Sequence, residues 1–320
     1  MKKQNKKILI TGGAGYIGQN LVNYFLKKKY LIYIIDNLST SLPLNNKIKR
    51  QVSFYNIDLT KEKKVKNFFE NKKFDLIIHL AAFSGVKEFD KDVLKSFNNN
   101  VLSTKNLVQF AFKKHNTKLI FSSSAAVYGK VSKNKIKENY ECNPVNYYGL
   151  SKLACENIIN NELDKKKNNY AILRYFNVVG SLVDYKIKKK INSLLDIIGN
   201  KIKKNKYKIN INGKNFDTKD GSPERDFIHV DDLCKIHNET YKYLKKNKSV
   251  VLNCGSGFRH SVLEIVRAIE KKIKRKFKIS YKITNLNETE TICSDISSLK
   301  KLLKIDIGKK RINDLIKDYL

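Results

Sequence analysis

The stretch KILITGGAGYIG, residues 7–18, joins a short apolar run to three regularly spaced glycines. Gly12, Gly15 and Gly18 form the pattern GxxGxxG between a predicted strand and a predicted helix. In such a turn the first glycine permits the tight bend, the second lets a diphosphate approach the backbone, and the third lets the helix pack closely. The free N–H groups of the helix N-terminus favour an anion. The stretch therefore predicts the first unit of a dinucleotide-binding fold.

Short apolar runs alternate with longer amphipathic segments along the first half of the chain. This alternation is typical of parallel strands that are buried on both faces and joined by right-handed crossovers. The predicted strands span residues 7–11, 30–36, 52–58, 74–82, 118–124 and 171–176. The fold class is therefore predicted as α/β, a Rossmann doubly wound parallel sheet with a smaller C-terminal α/β substrate-binding lobe.

Beyond residue 180 the alternation loosens, and isolated strands are predicted at residues 207–211, 250–254 and 278–283. We place the boundary between the lobes after residue 178. Residues 1–178 form the dinucleotide-binding domain in this prediction. Residues 179–320 form mainly the substrate lobe, with some of the chain returning to the sheet.

Composition and charge limit the possible classes of function. The chain has 320 residues and a formal net charge of +35, from 65 Lys and Arg against 30 Asp and Glu, and only seven of the basic residues are Arg. Proteins that read nucleic acids rely on Arg and stacked aromatic rings, so most of the Lys is interpreted as surface composition and no nucleic-acid partner is predicted. The five cysteines lack metal-ligand spacing, and no apolar run approaches the ~20 residues of a membrane helix. We expect no metal, no membrane partner and a cytoplasmic location.

Residues at the ends of the next strands extend the dinucleotide prediction. Asp36 follows the second strand, where a carboxylate accepts hydrogen bonds from ribose hydroxyls and repels a 2′-phosphate. Because Asn37 and not Arg comes next, NAD is favoured over NADP as the cofactor. The residues predicted to contact NAD on this side are Gly12, Gly15, Tyr16, Ile17, Gly18, Asp36, Asn37, Asp58, Leu59, Ala81, Ala82 and Asn99. Asn99 is also predicted to tie the end of the fourth strand to the catalytic residues described next.

A serine run and a Tyr–Lys pair lie downstream of the glycine turn. Ser122-Ser123-Ser124 closes the fifth strand, and Tyr148 and Lys152 share one face of the next predicted helix. A phenol with a pKa of about 10 is a weak base at neutral pH, and a nearby ammonium group lowers that pKa. We predict that Tyr148 carries the proton, with Lys152 as its partner, and that Ser124 binds a substrate hydroxyl. Ser122, Tyr148 and Lys152 are predicted to contact the cofactor as well.

Eight motifs, spread in order over about residues 7–260, resemble the UDP-glucose 4-epimerase family of extended short-chain dehydrogenases/reductases. They are TGGAGYIG, DNLS, HLAAFSGVKE, NNNV, FSSSAAVYG, YYGLSK, LRYFNVVG and DTKDGSPERDFIHVDDL. The resemblance implies an isomerase in which hydride passes from C4 of a nucleotide sugar to NAD and returns to the opposite face of a 4-keto intermediate. It implies that Tyr148 takes the proton of the 4-hydroxyl group. It also implies that Tyr175 and Phe176 lie near the nicotinamide, and that Asn177 and Arg225 hold the diphosphate.

Departures from the family pattern lie mainly on the substrate side. Asn285-Leu286-Asn287-Glu288 stands where the family has Arg-x-Gly-Asp, so Glu288 is the predicted acidic substrate contact. Ile191-Asn192-Ser193-Leu194 replaces an Asn-Asn-Leu segment, and Asn212 replaces an aromatic residue. Ser84 replaces a Lys that contacts the cofactor ribose, and we keep Ser84 among the predicted cofactor contacts. These departures leave the nucleotide and the sugar open, with a UDP-hexose favoured.

Two alternatives stay open on the residues alone. One is another nucleotide-sugar epimerase, dehydratase or reductase of this fold, although a 4,6-dehydratase has Thr-Asp-Glu where Ser124-Ala125-Ala126 stands. The other is a non-catalytic NAD- or nucleic-acid-binding protein, which does not explain why Tyr148 and Lys152 are both present. The resemblance also suggests a homodimer with a four-helix interface, from helices near residues 94–114 and 145–164. His229 and Asp231 are given structural roles, with Asp231 as a helix cap.

Overall fold

The chain forms two layers of helices around a parallel sheet and a smaller α/β lobe beside one end of that sheet. A computed structural model describes residues 6–84, 89, 92–112, 116–131, 135–165, 168–181, 193–246, 248–282, 289–307 and 312–320. The strands are β1 (Lys7–Thr11), β2 (Leu31–Ile35), β3 (Ser53–Tyr55), β4 (Leu76–His79), β5 (Lys118–Ser124), β6 (Tyr170–Tyr175), β7 (Asn177–Val179), β8 (Lys208–Asn212), β9 (Glu224–Arg225), β10 (Phe227–His229), β11 (Val250–Cys254), β12 (His260–Ser261), β13 (Lys278–Lys282) and β14 (Thr291–Ile292). The α-helices are α1 (Tyr16–Lys27), α2 (Asn46–Lys49), α3 (Glu62–Glu70), α4 (Val93–Ala111), α5 (Tyr147–Lys165), α6 (Leu194–Lys203), α7 (Val230–Leu244), α8 (Val262–Ile273), α9 (Ser297–Leu303) and α10 (Ile312–Ile316).

The central sheet has seven strands in the order β3-β2-β1-β4-β5-β6-β11, and every neighbouring pair is parallel. Ile8 and Ile10 of β1 pack into the core on one face, and Leu9 packs into the core on the other. Both faces are thus covered by helices, which explains why the strand sequences are apolar throughout. The predicted doubly wound parallel α/β fold is confirmed.

The position of the ligand-binding crevice follows from the strand order. From β1 the chain proceeds outward to β2 and β3, and it then returns to the other side of β1 to place β4. The connections after β1 and β4 therefore diverge at the carboxyl edge of the sheet. Such a topological switch point is where open α/β sheets bind ligands.

The smaller lobe has its own apolar core, in which β8, β10, α6 and α8 take part. Its short sheets pair β8 with β13, β7 with β10, and β9 with both β12 and β14. The chain returns to the central sheet within this region, because β11 pairs with β6 and α7 packs into the core of the first lobe. In the described part of the chain, no helix is both long and apolar enough to cross a membrane.

Most predicted strand positions agree with the structure, and the ends differ by a few residues. β1, β5 and β11 match the predicted ranges, whereas β3 stops at Tyr55. Asp58 lies beyond that strand and accepts hydrogen bonds from the backbone and hydroxyl of Thr60, at 2.9 and 2.7 Å. The strand is therefore shorter than predicted, and a short aspartate turn at residues 58–60 follows it.

Candidate active site

A cleft of about 720 Å³ opens at the carboxyl edge of the sheet and extends between the two lobes. The predicted site residues that line it are Gly12, Gly15, Tyr16, Ile17, Gly18, Asp36, Asn37, Asp58, Leu59, Ala81, Ala82, Ser84, Asn99, Ser122, Tyr148, Lys152, Tyr175, Phe176, Asn177 and Arg225. Ser124 is not among the lining residues. Residues that are far apart in sequence therefore meet along one continuous surface, and their individual roles stay predictions.

The glycine turn connects β1 to α1 and leaves little room for side chains. Gly12 has a φ of 69°, and a Cβ atom there would lie 2.7 Å from the backbone nitrogen of Ala81. A Cβ atom on Gly18 would lie 2.7 Å from the Cα atom of Gly13 and would also collide with the carbonyl oxygen of Gly12. Gly15 differs, because its nearest contact would be 3.3 Å away, at the same carbonyl oxygen. The turn is therefore closed around Gly12 and Gly18 but open in front of Gly15.

Gly15→Ala and Gly18→Ala are expected to fail in different ways. Gly15 has φ −71° and ψ 175°, which alanine adopts freely, so G15A should fold normally but lose about tenfold or more in NAD affinity. In G18A the helix must shift, and the free energy of unfolding should fall by about 1–3 kcal/mol. Urea unfolding without cofactor and NAD titration by calorimetry separate the two effects. Normal NAD affinity in G15A would contradict the assignment of the diphosphate to this turn.

The carboxylate of Asp36 is held rigidly at the rim of the cleft. One oxygen accepts from the backbone N–H of Ala14 at 3.0 Å. The other accepts from the N–H of Leu38 and the hydroxyl of Ser41, at 2.8 and 2.9 Å. The contact between this carboxylate and a ribose stays a prediction, and the fixed position of the side chain at the rim agrees with it.

Tyr148 and Lys152 lie on the first turns of α5, against the end of β5. The Lys152 ammonium donates a hydrogen bond to the carbonyl oxygen of Ser122 at 2.7 Å and lies 6.0 Å from the centre of the Tyr148 ring. Ser124 hydrogen-bonds with Tyr148, and its hydroxyl oxygen accepts from the N–H of Ala126 at 3.2 Å. The structure therefore brings the predicted Ser–Tyr–Lys set together, and a hydrogen bond joins Ser124 to Tyr148.

Burial dominates the electrostatics of this pair. It raises the pKa of Tyr148 to about 12, while the hydrogen bond with Ser124 acts in the opposite direction. It lowers the pKa of Lys152 to about 8. The expected lowering of the Tyr148 pKa by Lys152 is therefore not seen, because burial sets the direction of the shift. A positive charge in the cleft would favour the ionised form of Tyr148.

An asparagine ties the end of β4 to α5, but it is the neighbour of the predicted one. The side chain of Asn100 accepts from the N–H of Phe83 at 2.8 Å and donates to the carbonyl oxygen of Phe83 at 3.2 Å. It also donates to the hydroxyl of Ser151 at 3.1 Å. Asn99 faces the cleft instead. Adjacent helical positions point about 100° apart, so only one of the two can reach the strand end.

The smaller lobe lines the part of the cleft where the substrate contacts are predicted. Arg225 of β9 lines it and donates to the carbonyl oxygens of Glu224 and Glu290, at 2.9 and 3.2 Å. Asn177 begins β7, and its side chain donates to the carbonyl oxygen of Asp226 at 3.1 Å. The first turn of α6, which a Ser193–Asp196 capping box closes, forms an adjacent wall. The positions highlighted at Ile191, Asn192 and Asn285 to Glu288 fall outside the described residues.

The helix cap predicted at Asp231 is wrong. His229 is the N-cap of α7, and its Nδ1 atom accepts from the N–H of Asp231 at 3.1 Å. Its Nε2 atom lies 3.1 Å from Asp318 Oδ2, while the Asp231 carboxylate lies 2.8 Å from the Lys235 ammonium. Because β10 ends at His229, that ring is the first side chain able to reach the free N–H groups. His229 thus has the structural role expected of it.

Several cleft residues were missed by sequence reasoning. They are Ser39, Thr40, Ser41, Ser103, Leu195, Asp196, Ile197, Asn210, Ile211, Pro223, Phe227 and Val262. The run of hydroxyl residues directly after Asp36 was a usable signal, because a loop after the second strand borders the ribose site. Pro223 and Phe227 lie within the motif DTKDGSPERDFIHVDDL, whereas the residues from α4, α6, α8 and β8 belong to no motif.

Three comparisons with known proteins agree with this geometry. Residues 8–255 match the model of the NAD-dependent epimerase/dehydratase family. A UDP-glucose 4-epimerase of Dictyostelium discoideum is 33% identical in sequence to this chain. The match covers 97% of this chain and 92% of the Dictyostelium protein. A crystal structure of the UDP-glucose 4-epimerase from Bifidobacterium longum in complex with NAD⁺ and UDP is 30% identical, with a TM-score of 0.89 over 98% of this chain and 96% of that one. The structure of the UDP-Glc/GlcNAc 4-epimerase from Campylobacter jejuni is 34% identical, with a TM-score of 0.84 over 98% of both chains.

Proposed function

The chain belongs to the NAD-dependent epimerase/dehydratase family, and from that membership we propose that it is an NAD-dependent UDP-glucose 4-epimerase. It would interconvert UDP-glucose and UDP-galactose, or a closely related UDP-hexose pair. The relatives that support this activity are named UDP-glucose 4-epimerases and match almost the full length of the chain. The observation that carries the proposal is the placement of Tyr148 and Lys152 in the same cleft as the glycine turn.

The residues present fit an NAD molecule. The cleft runs from Asp36 and Asp58 at one end, past the open face of Gly15, to Tyr148 and Tyr175 at the other. Ala81 and Ala82 leave space along the strand ends. When bound, NAD supplies the hydride acceptor and, in its oxidised form, a positively charged ring. That charge is of the sign that an ionised Tyr148 needs.

The side chains of the cleft have separate tasks in this proposal. Tyr148 takes the proton of the sugar 4-hydroxyl group and later returns it, while Lys152 stabilises the ionised phenol. Ser124 hydrogen-bonds with Tyr148, and its contact with the substrate hydroxyl stays a prediction. Arg225 and Asn177 hold the diphosphate of the substrate, because a guanidinium group matches phosphate oxygens well. The division between a cofactor domain at residues 1–178 and a substrate lobe at residues 179–320 is part of the same proposal.

The direct test is to incubate the purified protein with UDP-galactose and to follow UDP-glucose by chromatography. We expect conversion without added cofactor, with NAD released only on denaturation. Absence of UDP-glucose from protein that retains NAD would contradict the proposal. A 4-keto-6-deoxy product would instead identify a dehydratase, and the absence of Thr-Asp-Glu at residues 124–126 argues against that outcome.

We also propose a homodimer in which α4 and α5 of two copies form a four-helix interface. The two helices lie next to each other and expose apolar side chains along their outer surface. Leu94 is 76% exposed, Tyr147 55%, and Leu102 and Leu150 each 43%. A second copy that presents the same helices would cover these side chains symmetrically.

Leu150→Lys is expected to convert the dimer to a monomer, because each interface would bury two unpaired ammonium groups. Light scattering coupled to gel filtration measures the mass directly. Leu302→Lys is the matched control, since Leu302 is an exposed leucine of α9 and should leave the dimer intact. A wild-type protein that elutes as a monomer at micromolar concentration would refute the proposed interface.

A further inference from the structure

A buried carboxylate lies on the catalytic helix, one turn beyond Lys152. Tyr148, Lys152 and Glu156 follow one another at intervals of four residues, so they share one face of α5. Glu156 is only 2% exposed. A carboxylate loses most of its hydration at such a position and stays ionised only when it is paired and hydrogen-bonded.

Glu156 is held by Arg174, the one charged residue in the apolar strand β6. The Arg174 guanidinium donates two hydrogen bonds, from Nε to Oε1 at 3.1 Å and from Nη2 to Oε2 at 2.7 Å. The hydroxyl of Ser123 donates to the same Oε1 atom. The carboxylate therefore binds both to Arg174 in β6 and to Ser123, which lies between Ser122 and Ser124 at the end of β5.

The guanidinium group is itself fixed from the far side. Its Nη1 atom donates to the hydroxyl of Tyr128 at 2.9 Å and to the carbonyl oxygen of Glu138 at 3.1 Å. The Tyr128 hydroxyl donates in turn to Asn253 Oδ1 at 2.8 Å, in β11. Arg174 cannot follow Glu156 if the helix moves, so the pair anchors α5 to three strands of the sheet.

The Glu156 carboxylate also acts on Lys152 through its charge. The groups that face Lys152 are Tyr148, Cys155 and Glu156 from α5 and His79 from β4. Burial lowers the pKa of His79 to about 3 and raises the pKa of the Cys155 thiol, so both are neutral at pH 7. Glu156 is then the negative charge in this group that opposes the loss of the Lys152 proton.

We propose that Glu156, fixed by Arg174 and Ser123, is a positioning residue of this enzyme: it locks the Tyr148–Lys152 face of α5 onto the end of β5 and supplies the countercharge of the buried Lys152. The inference rests on the proposed function, because it assigns Glu156 a task in supporting that catalytic pair. It assigns no contact between Glu156 and the substrate or the cofactor.

Glu156→Gln tests both parts, because the substitution keeps the shape and removes the charge. Without that charge Lys152 loses its proton more readily. When kcat is measured as a function of pH, its fall at alkaline pH should therefore move to lower pH by about one unit. The melting temperature should also fall below that of wild type. The matched control is Glu162→Gln, because Glu162 is an exposed residue of the same helix. This control should keep the pH dependence of kcat and the melting temperature of wild type. NAD content per chain is measured in each variant after denaturation.

The outcomes separate this proposal from the proposed function. If E156Q has a lowered melting temperature but an unchanged dependence of kcat on alkaline pH, Glu156 has only a structural role. That result would refute its role as the countercharge of Lys152. A wild-type melting temperature in E156Q would overturn the anchor. If E156Q does not fold, Ser123→Ala replaces it in the experiment. A kcat of S123A equal to that of wild type at all pH values would refute the anchoring of α5 through Glu156. Wild-type protein without epimerase activity contradicts the proposed function instead, whatever the melting temperatures show.

Discussion

Tyr148→Phe is expected to lower kcat for UDP-galactose by about 10²–10⁴-fold, the range typical of a lost general acid–base group. The substitution removes one oxygen atom and keeps the ring, which packs edge-on against Phe89 with the ring centres 6.0 Å apart. The fold and the cofactor should therefore be retained. Initial rates at saturating UDP-galactose measure the loss, and the absorbance of released NAD measures cofactor content.

Tyr147→Phe is the matched control for that experiment. Tyr147 precedes Tyr148 on the same helix but is 55% exposed and is not among the cleft residues. The substitution keeps the apolar ring that the proposed dimer interface covers, so kcat should stay within about twofold of wild type. A Tyr148→Phe variant with near wild-type turnover would move the proton transfer to another group and overturn the assignment.

Asp226→Asn is expected to reduce the free energy of unfolding by about 2–5 kcal/mol. Asp226 is fully buried between β9 and β10, and its carboxylate accepts from the backbone and hydroxyl groups of Ser256 and Ser294 and from the N–H of Gly257. An amide nitrogen in place of either oxygen would face these donors and leave buried N–H groups unsatisfied, at about 1–3 kcal/mol each. Urea unfolding monitored by circular dichroism measures the difference.

Asp295→Asn provides the comparison for Asp226. Asp295 accepts from the N–H and hydroxyl of Ser297 at the start of α9, where water also reaches the side chain. The same chemical change should therefore cost about 1 kcal/mol or less. Equal losses in the two variants would show that the hydrogen bonds of Asp226 are not what stabilises the smaller lobe.

The parts of the fold and of the site that could be predicted are those with a local pattern. The spacing of glycines 12, 15 and 18 indicates a dinucleotide-binding turn only where the glycines follow a strand and begin a helix. Both conditions can be predicted from the neighbouring residues. The i, i+4 spacing of Tyr148 and Lys152 likewise places them on one helical face, because four residues make about one helical turn. The parallel, doubly wound sheet followed from the alternation of apolar runs and helices.

The parts that could not be predicted depend on contacts between distant segments. Asn99 and Asn100 are indistinguishable in a run of three asparagines, and only the orientation of α4 decides which one reaches Phe83. The five donors around Asp226 come from two segments about 30 and 70 residues further along the chain. The lone Arg174 in an apolar strand was a usable signal, since a buried guanidinium requires an acidic partner, but the sequence did not say which acid.

The return of β11 to the central sheet has a consequence for how the protein is made on the ribosome. β6 ends at Tyr175 and its outer neighbour β11 begins only at Val250, after about half of residues 179–320. While the intervening residues are being synthesised, β6 is the exposed edge of an incomplete sheet, and α7 is not yet present to cover that end. The catalytic helix is also anchored through Tyr128 to Asn253 of that late strand. We expect the nascent chain to be most prone to aggregation in this interval, and the central sheet to reach its native form only after β11 has been translated.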